Sequence, residues 1–242
     1  MKNLQEALKI SRRAVAFTGA GVSTLCGIPD FRGPGGLYSK PDAQRMFDIH
    51  WFHQDPSLYY QSAREWIYNM GDIAPGPVHT ALARLEAAGI VRGVVTQNID
   101  MLHQRAGSKI VAEVHGSPQL HHCIKCGSAK TFSSILDMLK ADETAVPMCP
   151  CGAPYKPDIT FFGENLPTEA FDLAEKLMNQ ADLILVLGSS LTVFPAASLP
   201  ERATRHGTPL YIVNAQPTPL DSVARQCYTD LAAFAKAAID IL

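Results

Sequence analysis

The stretch Ala14-Val15-Ala16-Phe17-Thr18-Gly19-Ala20-Gly21-Val22-Ser23-Thr24 decides the fold. An apolar run of strand type passes straight into Gly-Ala-Gly and then into residues that suit a helix start. Glycines at such a junction permit a tight turn and let the backbone approach a phosphate, with the N–H groups of turn and helix facing the anion. The pattern departs from the dinucleotide fingerprint. Thr24 stands where a third glycine belongs, and no strand ending in an acidic residue follows about 20 residues on. Asp42 has the distance but not the context. On the tripeptide alone, a phosphate loop and an ordinary glycine turn both stand open, while an ordinary hydride-transferring dehydrogenase is disfavoured.

Working outward, apolar runs recur at Ile90–Val95, Ile110–Val114, Leu183–Leu187 and Leu210–Val213. Runs of this kind suit strands buried on both faces of a parallel sheet. Helical patterns alternate with them. Val78, Leu82 and Leu85 repeat at helical spacing, with Gly89 placed to end the helix. Leu231, Phe234, Ala235, Ala238 and Ile239 form a last amphipathic stripe. The alternation predicts an α/β protein with a doubly wound parallel sheet. Residues from about 30 to 77 hold no convincing strand and one helical stretch near Pro56–Met70. Residues from about 119 to 157 hold clustered cysteines. Both read as insertions that build a smaller second domain.

The composition fits this reading. The 242 residues are 47% hydrophobic and 18% charged, with a net charge of -2. This argues for a folded globular chain and against a basic nucleic-acid-coating protein. No window reaches the roughly 18 apolar residues of a membrane span, and Met1-Lys2-Asn3-Leu4-Gln5-Glu6 lacks a signal-peptide core. A cytoplasmic location is the expectation, where thiols stay reduced.

Four of the six cysteines form Cys123-x-x-Cys126 and Cys149-x-Cys151. Four thiolates suit tetrahedral Zn²⁺ in a closed, structural site. The second pair is one residue shorter than usual. In a plain strand, however, i and i+2 share a face, so Cys149 and Cys151 can point together. A redox dithiol or buried free thiols are the alternatives, and His121 or His122 could replace one thiolate. Cys26 and Cys227 stand apart as ordinary small residues.

Polar segments follow the expected strands: Gly27-Ile28-Pro29-Asp30-Phe31-Arg32-Gly33 after the glycine loop, Thr96-Gln97-Asn98-Ile99-Asp100, His115-Gly116, Gly188-Ser189-Ser190 and Asn214. Ligands of open α/β sheets bind outside the carboxyl ends of the strands, so these groups converge on one crevice. Taken singly, His115 reads as a satisfied, partly buried histidine, and Asn98 with Asp100 as a helix cap.

Together, Gly-Ala-Gly-Val-Ser, Gly-Ile-Pro-Asp-Phe-Arg-Gly, Thr-Gln-Asn-Ile-Asp, His-Gly, the cysteine pairs, Phe161-Phe162-Gly163-Glu164 and Gly-Ser-Ser resemble the sirtuins, NAD-dependent protein-lysine deacylases. The resemblance runs from about Arg12 to the C-terminus and looks like a compact bacterial or archaeal catalytic core. It implies a Rossmann-like NAD domain over 1–30, 78–118 and 158–242. A helical and cofactor-loop insertion would cover 31–77, and a zinc insertion 119–157. It implies NAD as co-substrate and structural Zn²⁺ on Cys123, Cys126, Cys149 and Cys151. NAD would lie in the crevice between the domains.

The resemblance also assigns roles. The acyl oxygen attacks C1′ of the nicotinamide ribose and nicotinamide leaves. His115 matches the general base on the ribose hydroxyl, suited by an unperturbed pKa near working pH. That hydroxyl then takes the acyl group, leaving it on ADP-ribose. Asn98 is paired with His115 in the catalytic set. Asp100 and Ile99 match nicotinamide contacts, and Asn98 and Gln97 match ribose contacts. Gly19, Ala20, Gly21, Ser23, Thr24, Ile28, Asp30, Phe31 and Arg32 match phosphate and cofactor-loop positions, with Phe31 shielding the reactive ribose face. Gly188, Ser189, Ser190, Asn214 and Leu231 match adenosine-side positions.

By the same resemblance, the substrate would be an acyl-lysine peptide added as a strand between the matching segments Gly163-Glu164-Asn165 and Thr192-Val193-Phe194. Phe162 and Val193 would line the lysine tunnel. Family members preferring succinyl or malonyl lysine carry Tyr-x-x-Arg in the helical insertion. Here Tyr60 and Arg64 are four apart, and Arg64 reads as a solvated helix residue, so acetyl and other neutral acyl groups are favoured. Protein mono-ADP-ribosyl transfer and deacylation of longer neutral chains are the enzymatic alternatives. A non-catalytic NAD or zinc module is disfavoured because His115, Asn98 and Asp100 are all present. No nucleic acid or membrane partner is expected, and nothing demands more than a monomer.

Overall fold

The computed structural model describes residues 1–31, 33, 36–39, 43–70, 73–142 and 144–242. Their strands are β1 (Ala14–Thr18), β2 (Val91–Thr96), β3 (Val111–Glu113), β4 (Gly116–Cys123), β5 (Ala129–Thr131), β6 (Tyr155–Ile159), β7 (Leu183–Leu187), β8 (Leu210–Val213) and β9 (Gln226–Tyr228). The chain divides into two compact units. One comprises Met1–Asp30, Ala74–Val114 and Thr168–Leu242; the other comprises Phe31–Ile73 and His115–Pro167.

The first unit is built on a six-stranded sheet of order β3-β2-β1-β7-β8-β9, in which every neighbouring pair is parallel. The strand order reverses at β1, the topological switch of a doubly wound sheet. All five residues of β1 and of β7 are buried. Alternation along the strands splits them between two cores. Ala14, Ala16, Leu183, Leu185 and Leu187 pack on one face with Leu4, Leu8, Leu82, Leu85 and Phe234. Val15, Phe17, Ile184 and Val186 pack on the other with Ala174, Leu177, Leu199 and Ala203. Helices Lys2–Ile10, Pro77–Ala87 and Leu231–Ile239 supply the first layer, and Thr168–Gln180 and Ser198–Arg205 the second. Each fully buried Leu or Val contributes ~1.5–3 kcal/mol, so the two cores fix the strand ends firmly.

The helix starts carry their chemistry. Pro77 sits in the first turn of its helix, where its missing N–H costs nothing. Asp230 caps the last helix by accepting from the Ala233 N–H at 2.9 Å.

The second unit holds an antiparallel sheet of order β5-β4-β6 and the short helices Ala43–Met46, Ile49–Gln54 and Pro56–Ala63. Residues His115–Pro167 belong to this unit because β4 pairs with β6, Gly116 opposite Ile159 and Cys123 opposite Tyr155. Its helices close around an aromatic core. Phe52, Tyr59 and Phe161 lie within 5.2–5.8 Å ring to ring, and the Tyr60 hydroxyl donates to the Tyr155 carbonyl at 2.7 Å. The stretch Arg64–Tyr68 that follows Pro56–Ala63 is one π-helical turn. Arg64 is not the solvated helix residue its sequence context indicates. Its guanidinium donates to the carbonyls of Leu139, Asp142 and Ala145 at 2.6–2.9 Å. These include carbonyls that the end of helix Phe132–Ala141 leaves without an intrahelical donor.

Candidate active site

Three loops at the carboxyl ends of β1, β2 and β7 interlock in the first unit. After β1, the Gly19 N–H donates to the Leu187 carbonyl at 3.1 Å and the Gly21 N–H to the Gly188 carbonyl at 2.9 Å. This approach requires glycine. Gly188 has φ +59°, and a Cβ there would lie 2.5 Å from the Val22 nitrogen. After β2, the Gln97 N–H donates to the Thr18 carbonyl at 2.9 Å, and the Gln97 side chain accepts from the Ser189 hydroxyl at 2.7 Å.

A buried polar chain runs beneath these loops. The Asn98 amide donates to the Ser23 hydroxyl at 3.2 Å, and that hydroxyl donates to the Asp100 carboxylate at 2.6 Å. The other Asp100 oxygen accepts the Leu102 N–H at 2.9 Å. Ser23, Asn98, Ile99, Asp100 and Ser189 are all buried. Only Asp100 meets the start of the helix Leu102–Arg105, through the Leu102 N–H; Asn98 does not cap it, and the two side chains meet on Ser23 instead. Thr24 turns back to the Gly21 carbonyl, Ser190 bonds Thr192 at 2.9 Å, and the Asn214 amide donates to the Gln216 carbonyl at 2.8 Å. Leu231 is half-buried against the first core, and Val193 is half-buried beyond β7.

A second layer of buried polar groups carries these, and the sequence gives little sign of it. Thr18 and Thr96 are opposite each other in the β1–β2 register. The Thr18 hydroxyl donates to Thr96 at 2.8 Å, and Thr96 accepts the Asn98 N–H at 3.1 Å. The fully buried His103 lies 2.9 Å from Thr18 through Nε2. Burial first, and then the neighbouring His79, push the His103 pKa down to about 3. A pair of strand-end threonines was the available signal, but only the register shows that they touch.

In the second unit His115 lies two residues past the end of β3, and its carbonyl accepts the Thr160 N–H at 2.8 Å. Gly116, with φ +75°, lets the chain pass Asp158, where a Cβ would fall 2.0 Å from the carbonyl oxygen. The Phe31 ring packs 5.4 Å from Tyr38 and 6.0 Å from Phe47. Phe162 is exposed and lies against Ile49 and Phe47 through its backbone. Arg32 lies outside the described residues.

The four cysteines do come together. Their sulfurs lie within 4.8 Å of one another, with Cys123 and Cys151 3.3 Å apart and Cys126 and Cys149 3.6 Å apart. A tetrahedral zinc with Zn–S of about 2.3 Å sets its sulfurs about 3.8 Å apart, so the donor set fits. Cys149 and Cys151 do not lie in a plain strand. They sit on a turn closed by the Gly152 N–H to the Cys149 carbonyl at 2.9 Å, which explains how the shorter spacing suffices. His121 instead bonds Tyr68 at 2.7 Å, and His122 pairs with Asp158 at 2.6 Å.

The Sir2 family model matches residues 19–195. The chain belongs to the Sir2 family. It is 45% identical to the NAD-dependent protein deacetylase of Thermotoga maritima, over 98% of this chain and 96% of that one. It is 43% identical to NAD-dependent protein deacylase 2 of Pyrobaculum aerophilum, over 92% and 87%. Among solved structures, a Sir2 protein with a p53 peptide and NAD⁺ matches with a TM-score of 0.90 and 43% identity, over 99% of this chain and 97% of that one. A Sir2 protein bound to a propionylated peptide matches with a TM-score of 0.89 and 42% identity, over 99% and 97%.

Proposed function

We infer that this Sir2 protein is an NAD-dependent protein-lysine deacetylase. It transfers acetyl from acetyl-lysine to ADP-ribose and releases nicotinamide. The observation that carries this is its 45% identity, over 98% of the chain, to a protein deacetylase. The buried Asn98–Ser23–Asp100 chain beneath the glycine loop supports it.

In the proposed reaction, the acyl oxygen displaces nicotinamide from C1′ of the ribose. His115 takes the proton of a ribose hydroxyl, which attacks the acyl carbon; water completes release of the lysine amine. Asn98, fixed through its N–H to Thr96 and its amide to Ser23, holds the ribose with Gln97. Ile99 and Asp100 hold the nicotinamide. Gly19, Ala20, Gly21, Ser23, Thr24, Ile28, Asp30, Phe31 and Arg32 serve the phosphates and the reacting ribose. Gly188, Ser189, Ser190, Asn214 and Leu231 serve the adenosine end. Preorganised groups are what such a site requires, since they need not reorder as charge develops. Zn²⁺ on the four cysteines would brace the β5-β4-β6 sheet and take no part in the reaction.

The acyl-lysine peptide binds as a strand against the backbone of Gly163-Glu164, with Phe162 and Val193 along the lysine stem. Neutral acyl groups are favoured because Arg64, the arginine near Tyr60, is committed to three carbonyls. Propionyl and longer neutral chains fall within the same reading.

The test is mass spectrometry of an acetyl-lysine peptide with and without NAD, using the chain and its His115→Ala variant. One nicotinamide and one acetylated ADP-ribose per acetyl lost, absent in the variant, is the expected result. Full activity of the variant refutes the assignment of the base. Nicotinamide release without acetyl loss refutes deacetylation.

A further inference from the structure

The turn proposed to meet the peptide is held from below by a largely buried lysine. Lys156, on β6, has a side chain only 12% exposed. An ammonium has three protons to donate, and each finds an acceptor: Glu164 Oε2 at 2.8 Å, the Ile159 carbonyl at 2.8 Å and the Pro157 carbonyl at 3.1 Å. The charge also lies 4.1 Å from the Phe161 ring centre. Burial draws the lysine's pKa below its usual value, and Glu164 opposes that shift.

Glu164 completes the clasp. Its Oε2 also accepts the Phe161 N–H at 2.8 Å, and its own N–H donates to the Phe161 carbonyl at 3.0 Å. One oxygen of the Glu164 carboxylate is therefore committed to its own turn. Phe162 is tied on its other side, its N–H to Phe47 and its carbonyl to the Ile49 N–H. Gly163 has φ +92° and makes no backbone hydrogen bond among the described residues. The result is a turn fixed at both shoulders with its outer backbone left over. That is what strand addition needs, because an edge ordered in advance spares the ordering cost at binding.

We propose that Lys156 is a positioning residue for acyl-peptide binding: through Glu164 it holds the Phe161–Glu164 turn in the form that receives the substrate strand. The inference rests on the peptide site proposed above. Lys156 touches neither the peptide nor NAD in this scheme. Its loss should weaken the peptide and leave NAD alone.

The experiment measures binding of an acetyl-lysine peptide calorimetrically without NAD, and KM for peptide and NAD in turnover. Lys156→Met, a change of similar shape, should raise peptide Kd and KM about tenfold, the effect of one charge-assisted hydrogen bond, with NAD KM within twofold. Lys156→Arg should recover most of the loss. Lys156→Met leaves Glu164 without its cation, so the double variant Lys156→Met with Glu164→Gln provides a form without the orphaned charge. It should show the same weakened peptide binding. Peptide affinity within twofold of wild type in a folded single or double variant overturns the proposal, as does a parallel rise in NAD KM. Wild-type protein that binds the peptide but removes no acetyl group refutes the deacetylase reading while still scoring Lys156. Wild-type protein that does not bind the peptide refutes both.

Discussion

Replacing Gly188 by alanine tests whether the interlocked loops set the NAD site. Two costs follow from the structure. The residue has φ +59°, where a Cβ costs about 1–2 kcal/mol. The added carbon would also lie 2.5 Å from the Val22 nitrogen and 2.7 and 2.8 Å from Gly21 backbone atoms. Those are main-chain atoms that cannot rotate aside, so the loops must part by on the order of 1 Å, an overpacking worth about 1–3 kcal/mol. Gly207→Ala separates the terms: its φ is +94°, but nothing lies within 4 Å of the new carbon. The expected losses are about 2–5 kcal/mol for Gly188→Ala and about 1–2 kcal/mol for Gly207→Ala, read from guanidinium denaturation midpoints. A 1 Å displacement at a reacting site costs on the order of 100-fold. kcat/KM for NAD should therefore fall by that order in Gly188→Ala and stay within twofold in Gly207→Ala. Equal stability losses in the two variants, with NAD kinetics unchanged in both, would refute the reasoning.

Two further outcomes follow from the cysteine cluster and the buried histidines. The isolated chain should carry one zinc. Chelation, or Cys126→Ser, should lower Tm by at least about 10 °C, because metal binding of this kind supplies folding free energy; a metal-free chain with unchanged Tm would exclude a structural zinc. Acid should destabilise the fold from about pH 6.5 downward. The unfolded His103 takes up a proton near pH 6.5, whereas the folded one does so only near about 3. The unfolded state thus binds more protons across that window, and stability falls with pH. His103→Gln should flatten the slope of stability between pH 6 and 4.5, and an unchanged slope there would count against a neutral buried His103.

Why some of this was readable from the sequence and some was not follows from burial. Strands β1 and β7 are covered on both faces, so each appears as an uninterrupted apolar run. Strand β4 alternates between buried and exposed residues and contains Pro118, and β5 has three residues, none of them buried. Neither presents a run to recognise. The π turn at Arg64–Tyr68 follows the helix Pro56–Ala63 without a break in composition. Site residues at loop positions with unusual polarity, such as Asn98, Asp100 and Ser189, stood out against their apolar strands. Their supports did not: Thr18 meets Thr96 across 78 residues of chain. Lys156 finds Glu164 only because Phe161–Glu164 turns back on β6.

The central place of β1 bears on how the chain acquires its shape over time. Ala14 pairs with Val91 on one side and with Leu183 on the other. The strand at the heart of the sheet is thus made early and receives its last neighbour late. Contacts so distant in sequence slow folding, since a long loop must close before any gain is collected. On a ribosome, β1 would wait with one apolar edge unpaired until the chain beyond Leu187 had emerged, a state prone to association. Synthesis order would then make the nascent chain, more than the finished protein, the form that depends on protection by chaperones.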